Sequence, residues 1–86
     1  MASYTIEWRS SARKELRRLP HDVLARILKA VEALSRDPFP PGVRKMVGAE
    51  QAYRIRVGDY RIVYDVTTSR LLVEIVRVGH RSAVYD

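Results

Sequence analysis

An α+β fold, with two N-terminal helices packed on one face of a small antiparallel sheet in the order β-α-α-β-β-β, is predicted by three features of the sequence. Apolar residues in the first half recur at helical spacing after one short alternating run. The second half alternates with period two, and the stretch from Pro38 to Gly42 divides the halves. Neither half has a partner surface within itself, so residues 1–86 are read as a single domain. A chain of this size buries only about 60–65% of the surface its unfolded form exposes, which leaves a thin stability margin.

The elements follow in order. Tyr4, Ile6 and Trp8 alternate with Thr5 and Glu7, the pattern of a half-buried strand. Ser10 or Ser11 is placed to cap a short helix carrying Ala12, Leu16 and Leu19 on one side and Arg13, Lys14, Arg17 and Arg18 off that line. Pro20 interrupts it. Asp22 is placed to cap a longer helix that buries Val23, Leu24, Ile27, Leu28, Val31 and Leu34. After a linker containing Arg44, Lys45 and Gly48, strands are expected over Ala52 to Val57, Tyr60 to Val66 and Leu71 to Val78. Gly58-Asp59 makes a two-residue hairpin turn and Thr67 to Arg70 a longer one, so these strands are antiparallel neighbours.

The first hairpin fixes a register. Val57 pairs with Tyr60, Arg56 with Arg61, Ile55 with Ile62, Arg54 with Val63 and Tyr53 with Tyr64. Tyr53, Ile55, Val57, Tyr60, Ile62 and Tyr64 then face the helices, while Arg54, Arg56 and Arg61 share the other face. Arg56 opposite Arg61 is a like-charge pair that costs a few tenths of a kcal/mol to about 1 kcal/mol. Local stability does not account for it. Glu74 and Asp65 are the carboxylates available to neutralise the cluster; an anion-binding face is the alternative, because guanidinium stays charged and offers forked donors to phosphate oxygens.

Charge and composition bound the function. Sixteen Lys and Arg against ten Asp and Glu give a formal charge of +6, which draws the protein to phosphate backbones or an acidic partner. With no cysteine, neither a disulfide framework nor a thiolate metal site is available, and a cytoplasmic setting is expected. No leader peptide or membrane-spanning run is read in the sequence. It shows no His pair at metal spacing, no acidic cluster for two metal ions and no phosphate-binding Gly loop, so neither metal nor cofactor is expected. Beyond Gly79 lie His80, Arg81 and Tyr85, which supply a group titrating near neutrality, a cation and a phenol able to stack on a base. With the hairpin arginines they form a set suited to phosphodiester cleavage, in which the 2′-hydroxyl of RNA attacks its own phosphorus.

The segments YTIEWRSSARKELRRLP, DPFPPGVRKMVGAEQAYRIRVGDYRIVYDV and VEIVRVGHRSAVY resemble the RelE side of the RelE/ParE toxin superfamily across nearly the whole chain. The resemblance implies the same β-α-α-β-β-β fold. It also implies a toxin of a type II toxin-antitoxin module that cleaves messenger RNA on the ribosome without metal and is inhibited by a cognate antitoxin. Carried over by position, it sets Arg54 and Arg56 as catalytic residues that contact and activate the RNA backbone, Arg61 and Arg81 as catalytic arginines that stabilise phosphate, and Tyr85 on the substrate base. Arg44 and Lys45 join Arg54, Arg56 and Arg61 as RNA-binding residues. RelE enzymes often carry lysine where this chain has Arg54 and Arg56. Arginine does not give up its proton, so either His80 or Tyr85 is expected to serve as general base, or cleavage is slower and relies on charge stabilisation. The competing functions are a ParE-like toxin that inhibits DNA gyrase by protein contact and a non-catalytic RNA-binding module.

Overall fold

A computed structural model of the protein describes residues 3–81. The chain runs through β1 (Thr5–Trp8), α1 (Ser10–Leu16), α2 (His21–Arg36), β2 (Arg44–Lys45), β3 (Ala52–Val57), β4 (Tyr60–Thr67), a 3-10 turn at Thr68–Arg70 and β5 (Leu72–His80). The strands form one sheet in the order β1-β5-β4-β3-β2. The α+β architecture is the one the sequence predicts, with two differences in the sheet. Neighbouring strands from β2 to β5 are antiparallel, but β1 runs parallel to β5, with Thr5 opposite Leu72 and Trp8 opposite Ile75, so the sheet is mixed. Tight turns dictate direction for the later strands, whereas β1 joins the sheet only after a helical excursion that leaves its direction open. The second difference is β2. Arg44 and Lys45, read as linker, pair with Arg54 and Tyr53 at the sheet edge.

Apolar periodicity accounts for the core. Val23, Ile27, Val31 and Leu34 of α2 are buried against Ile55, Ile62, Tyr64, Val66, Val73, Ile75 and Val78 of the sheet. Tyr4, Ile6 and Trp8 pack at its margin, as their alternation in β1 predicts. Two helix positions expected inside are not. Leu24 is half-buried and Leu28 is 45% exposed, because both lie at the edge of the 23-27-31-34 stripe.

Both helix starts differ from expectation. Arg9 occupies the cap position of α1 and Pro20 that of α2, and neither helix has a side-chain cap. Asp22 lies within the first turn of α2, where a carboxylate is favoured by the exposed amides. Ser11 is drawn elsewhere. The β1 strand stops opposite Ile75, so the edge of β5 beyond that point takes its partners from α1. Ser11 Oγ donates to the Val76 carbonyl (2.9 Å), and the Val78 amide donates to Glu15 Oε1 (2.8 Å).

The proline segment is fastened from inside. The Tyr64 hydroxyl, fully buried, donates to the Pro38 carbonyl at 2.8 Å. Phe39 packs edge-on to Tyr53 with ring centroids 5.1 Å apart, and Tyr53 lies 6.2 Å from Tyr64. Burial pushes the Tyr64 phenol pKa well above its ordinary value, with the Asp37 charge adding to the effect.

Candidate nucleic-acid interface

The β3–β4 ladder has the predicted register at every position, from Tyr53 opposite Tyr64 to Val57 opposite Tyr60. Gly58 adopts φ +61°, the left-handed conformation that a two-residue hairpin turn requires. With that register fixed, alternation sends Ile55, Ile62 and Tyr64 into the core and sets Arg54, Arg56 and Arg61 together on the outer face. The short β2 strand adds Arg44 opposite Arg54. Arg44, Arg54, Arg56 and Arg61 line one concavity of about 160 Å³, floored in part by Ile55. A larger apolar groove of about 250 Å³ lies between α2, Pro40–Gly42 and β3, and Arg56 borders both.

The two carboxylates that the sequence offered as neutralisers are engaged by another cation. Asp65 stands opposite Glu74 on the outer face, and one nitrogen of Arg9 reaches both, at 3.1 Å and 3.0 Å. The hydrogen bond that Arg9 donates to the Glu74 carboxylate raises the Arg9 pKa further. Burial raises that of the Asp65 carboxyl, with the Arg9 charge opposing the rise and Glu74 adding to it. Arg77 is likewise held by Glu15, at 3.1 Å.

The remaining predicted residues are not gathered at the concavity. Lys45 pairs with Tyr53 rather than with an arginine and is exposed away from the four guanidiniums. His80 stands opposite Tyr60, its ring edge-on at 5.5 Å, whereas Arg61 faces Gly79. A β-bulge causes this. The register passes from Tyr64–Ile75 to Val63–Arg77, leaving Val76 as an extra residue. Unbroken alternation from Val73 and Ile75 would turn Arg77 inward and bring His80 to the arginine face. The bulge instead returns Val78 to the core and sends His80 to the side of Tyr60. Arg81 is exposed, and its amide donates to the Asp59 carbonyl (2.8 Å), which ties it to the β3–β4 turn. Tyr85 lies outside the described residues. Among the described residues, no group of three or more His, Cys, Asp or Glu is arranged to hold a metal ion. None of their helices is long and apolar enough to cross a membrane.

An arginine-lined sheet face backed by two helices defines a class of small basic protein that comparison with known proteins makes specific. The family described as ParE toxin of type II toxin-antitoxin system, parDE, matches residues 6–85. Toxin RelG of Mycobacterium tuberculosis is 35% identical over 95% of both chains. The toxin-antitoxin complex RelBE2 of M. tuberculosis contains a chain that superposes with a TM-score of 0.82 at 30% identity, covering 92% of this chain and 99% of that one. The RelE-RelB complex of Pyrococcus horikoshii OT3 gives 0.83 at 28% identity, covering 95% and 99%. The isolated RelE toxin of Escherichia coli gives 0.80 at 26%, covering 91% and 84%. The protein belongs to the RelE/ParE superfamily and is a toxin of the RelE family of type II toxin-antitoxin systems.

Proposed function

We propose that the protein is a metal-independent endoribonuclease that cleaves messenger RNA on the ribosome. The convergence of Arg44, Arg54, Arg56 and Arg61 on one concavity carries this reading, because like charges are assembled there at a cost to the hairpin. The 2′-oxygen bonds to the adjacent phosphorus, the bond to the 5′-oxygen breaks, and the products are a 2′,3′-cyclic phosphate and a 5′-hydroxyl. Arg54, Arg56 and Arg44 hold the backbone, and Arg61 and Arg81 neutralise the charge that grows on the phosphorane oxygens. Tyr85 stacks on the base beside the cut.

The 2′-hydroxyl proton needs an acceptor that arginine does not provide. His80 and Tyr85 are the two candidates, and the position of His80 opposite Tyr60 makes Tyr85 the first to test. Replacing both lowers cleavage by about 10²-fold or more if either is the base. Wild-type rates in the double variant, alongside loss of activity on replacing Arg61, would remove both from that role.

Inhibition by a cognate antitoxin is part of the reading, since relatives from M. tuberculosis, P. horikoshii and E. coli form complexes with RelB antitoxins. The family description favours one alternative, poisoning of gyrase by protein contact, as in ParE toxins. Expression with and without the antitoxin, followed by mapping of messenger RNA ends and a gyrase supercoiling assay, separates the readings. Codon-registered cuts support the ribonuclease, and lost supercoiling supports the gyrase toxin. RNA binding with steep salt dependence and no new ends indicates a non-catalytic module.

A further inference from the structure

On the outer face, β4 presents Asp65, Val63 and Arg61 in succession, while β3 presents Ala52, Arg54 and Arg56. Arg54 is directly opposite Val63, and Asp65 is its diagonal neighbour, within reach of a long side chain. Asp65 and Arg54 carry opposite charges, and an ion pair between them would set a carboxylate against the guanidiniums of the concavity. The Asp65 carboxylate is instead turned to Arg9, which also holds Glu74. Arg9 is well placed for this. Its amide donates to the Ile75 carbonyl (2.9 Å) and its carbonyl accepts from the Arg13 amide (3.0 Å), so its backbone is fixed at the junction of β1 and α1.

We propose that Arg9 is a positioning residue for the anion site: by holding Asp65 with Glu74, it keeps the Asp65 carboxylate off Arg54 and preserves the positive charge of the concavity. The inference rests on the concavity being the phosphate site of the proposed function, and it adds a residue that touches no substrate. Arg9 is half-exposed, so the effect is of moderate size.

The test uses a short single-stranded DNA oligonucleotide, which offers phosphates but has no 2′-hydroxyl and is not cut by the proposed chemistry. Its affinity is measured by anisotropy over a range of salt concentrations. Arg9→Ala is expected to weaken binding by about three- to fivefold and to flatten the salt dependence by about 0.7 in log-log slope, the share of one phosphate contact on a single strand. Arg54→Ala and Arg9→Ala/Arg54→Ala should bind alike, because both changes remove the same contact. Adding Asp65→Asn to Arg9→Ala should restore affinity and slope. Adding Glu74→Gln should relieve the Asp65–Glu74 repulsion and raise the melting temperature without restoring binding.

Rescue by Glu74→Gln equal to that by Asp65→Asn, or losses from Arg9→Ala and Arg54→Ala that multiply, would show a merely structural role and overturn the inference. A wild-type chain without salt-dependent affinity for the oligonucleotide overturns the anion site itself. Binding as described, with no messenger RNA ends generated in cells, supports the role of Arg9 and defeats only the ribonuclease reading.

Discussion

On the helix side of β3 and β4, Ile55, Ile62 and Tyr64 are buried and the one phenol among them has its hydrogen bond to Pro38. On the other side of the same strands Arg54, Arg56 and Arg61 crowd together, two of them directly opposite each other. The period of the strand keeps these two sets apart while binding them to one register, so a residue that stabilises and a residue that repels can be covalent neighbours. The helix side sets the fold, and the outer side carries charge that the fold alone does not need. Changes on the helix side should therefore cost stability, whereas changes on the outer side should weaken RNA chemistry without costing stability.

The largest expected effect is on the helix side. Tyr64→Ala removes a fully buried aromatic ring and should cost about 3–5 kcal/mol, a large fraction of the roughly 5–15 kcal/mol that small domains possess. Urea unfolding measures it. Next in size is Arg61→Gln, which keeps most of the aliphatic stem while removing the guanidinium. Cleavage should fall by about 10²–10³-fold, the usual loss when one donor to a developing oxyanion is removed, with the urea midpoint unchanged or slightly raised because the like-charge pair with Arg56 is also lost. A midpoint that fell with activity would break the separation of the two faces.

Tyr64→Phe is a smaller and sharper test. It leaves the Pro38 carbonyl without its phenolic donor, at a cost of about 1–2 kcal/mol at neutral pH. The pH dependence has a definite sign. Tyrosine in the unfolded chain ionises near pH 10, whereas the buried Tyr64 phenol in the folded chain holds its proton to higher pH. Its contribution is fully present below about pH 10 and is lost progressively as the pH rises beyond it, because the unfolded state then releases a proton that the folded state retains. Urea midpoints of wild type and Tyr64→Phe should therefore converge as the solution becomes more alkaline. A gap that stayed constant would mean that the phenol titrates alike in both states.

The sequence discloses the hairpin more fully than the rest because two local signals agree there, a glycine-bearing two-residue turn and strict alternation on both flanks. The strand direction of β1 has no such signal, and a two-residue strand such as β2 has no period to read. Arg44 therefore gained its place in the concavity only through a pairing that its neighbours in sequence do not announce. His80 shows the same limit in another form. Its side of the sheet is decided by Val76, one extra residue in β5, and bulges re-aim every side chain that follows. The hold of Arg9 on Asp65 and Glu74 joins residues more than fifty positions apart and follows from β1 lying beside β5. Charge counting could not assign those carboxylates to Arg9 rather than to the hairpin arginines.

The smallest predicted effect bears most directly on why the arginines are there. Arg56 is exposed and stands opposite Arg61, so Arg56→Thr removes a like-charge cross-strand pair and inserts a residue that favours strands. The variant should be more stable than wild type by a few tenths of a kcal/mol to about 1 kcal/mol, while its oligonucleotide affinity falls and its salt dependence flattens. Gain and loss from one substitution would show that the hairpin retains a repulsion because a phosphate relieves it. The gain should also shrink at high salt, since screening weakens the repulsion that the substitution removes. A variant that loses stability instead would mean that the Arg56 stem packs against the adjoining apolar groove strongly enough to outweigh the repulsion. In that case Arg56 would belong to the stabilising side of the comparison, leaving Arg44, Arg54 and Arg61 to define the charged one.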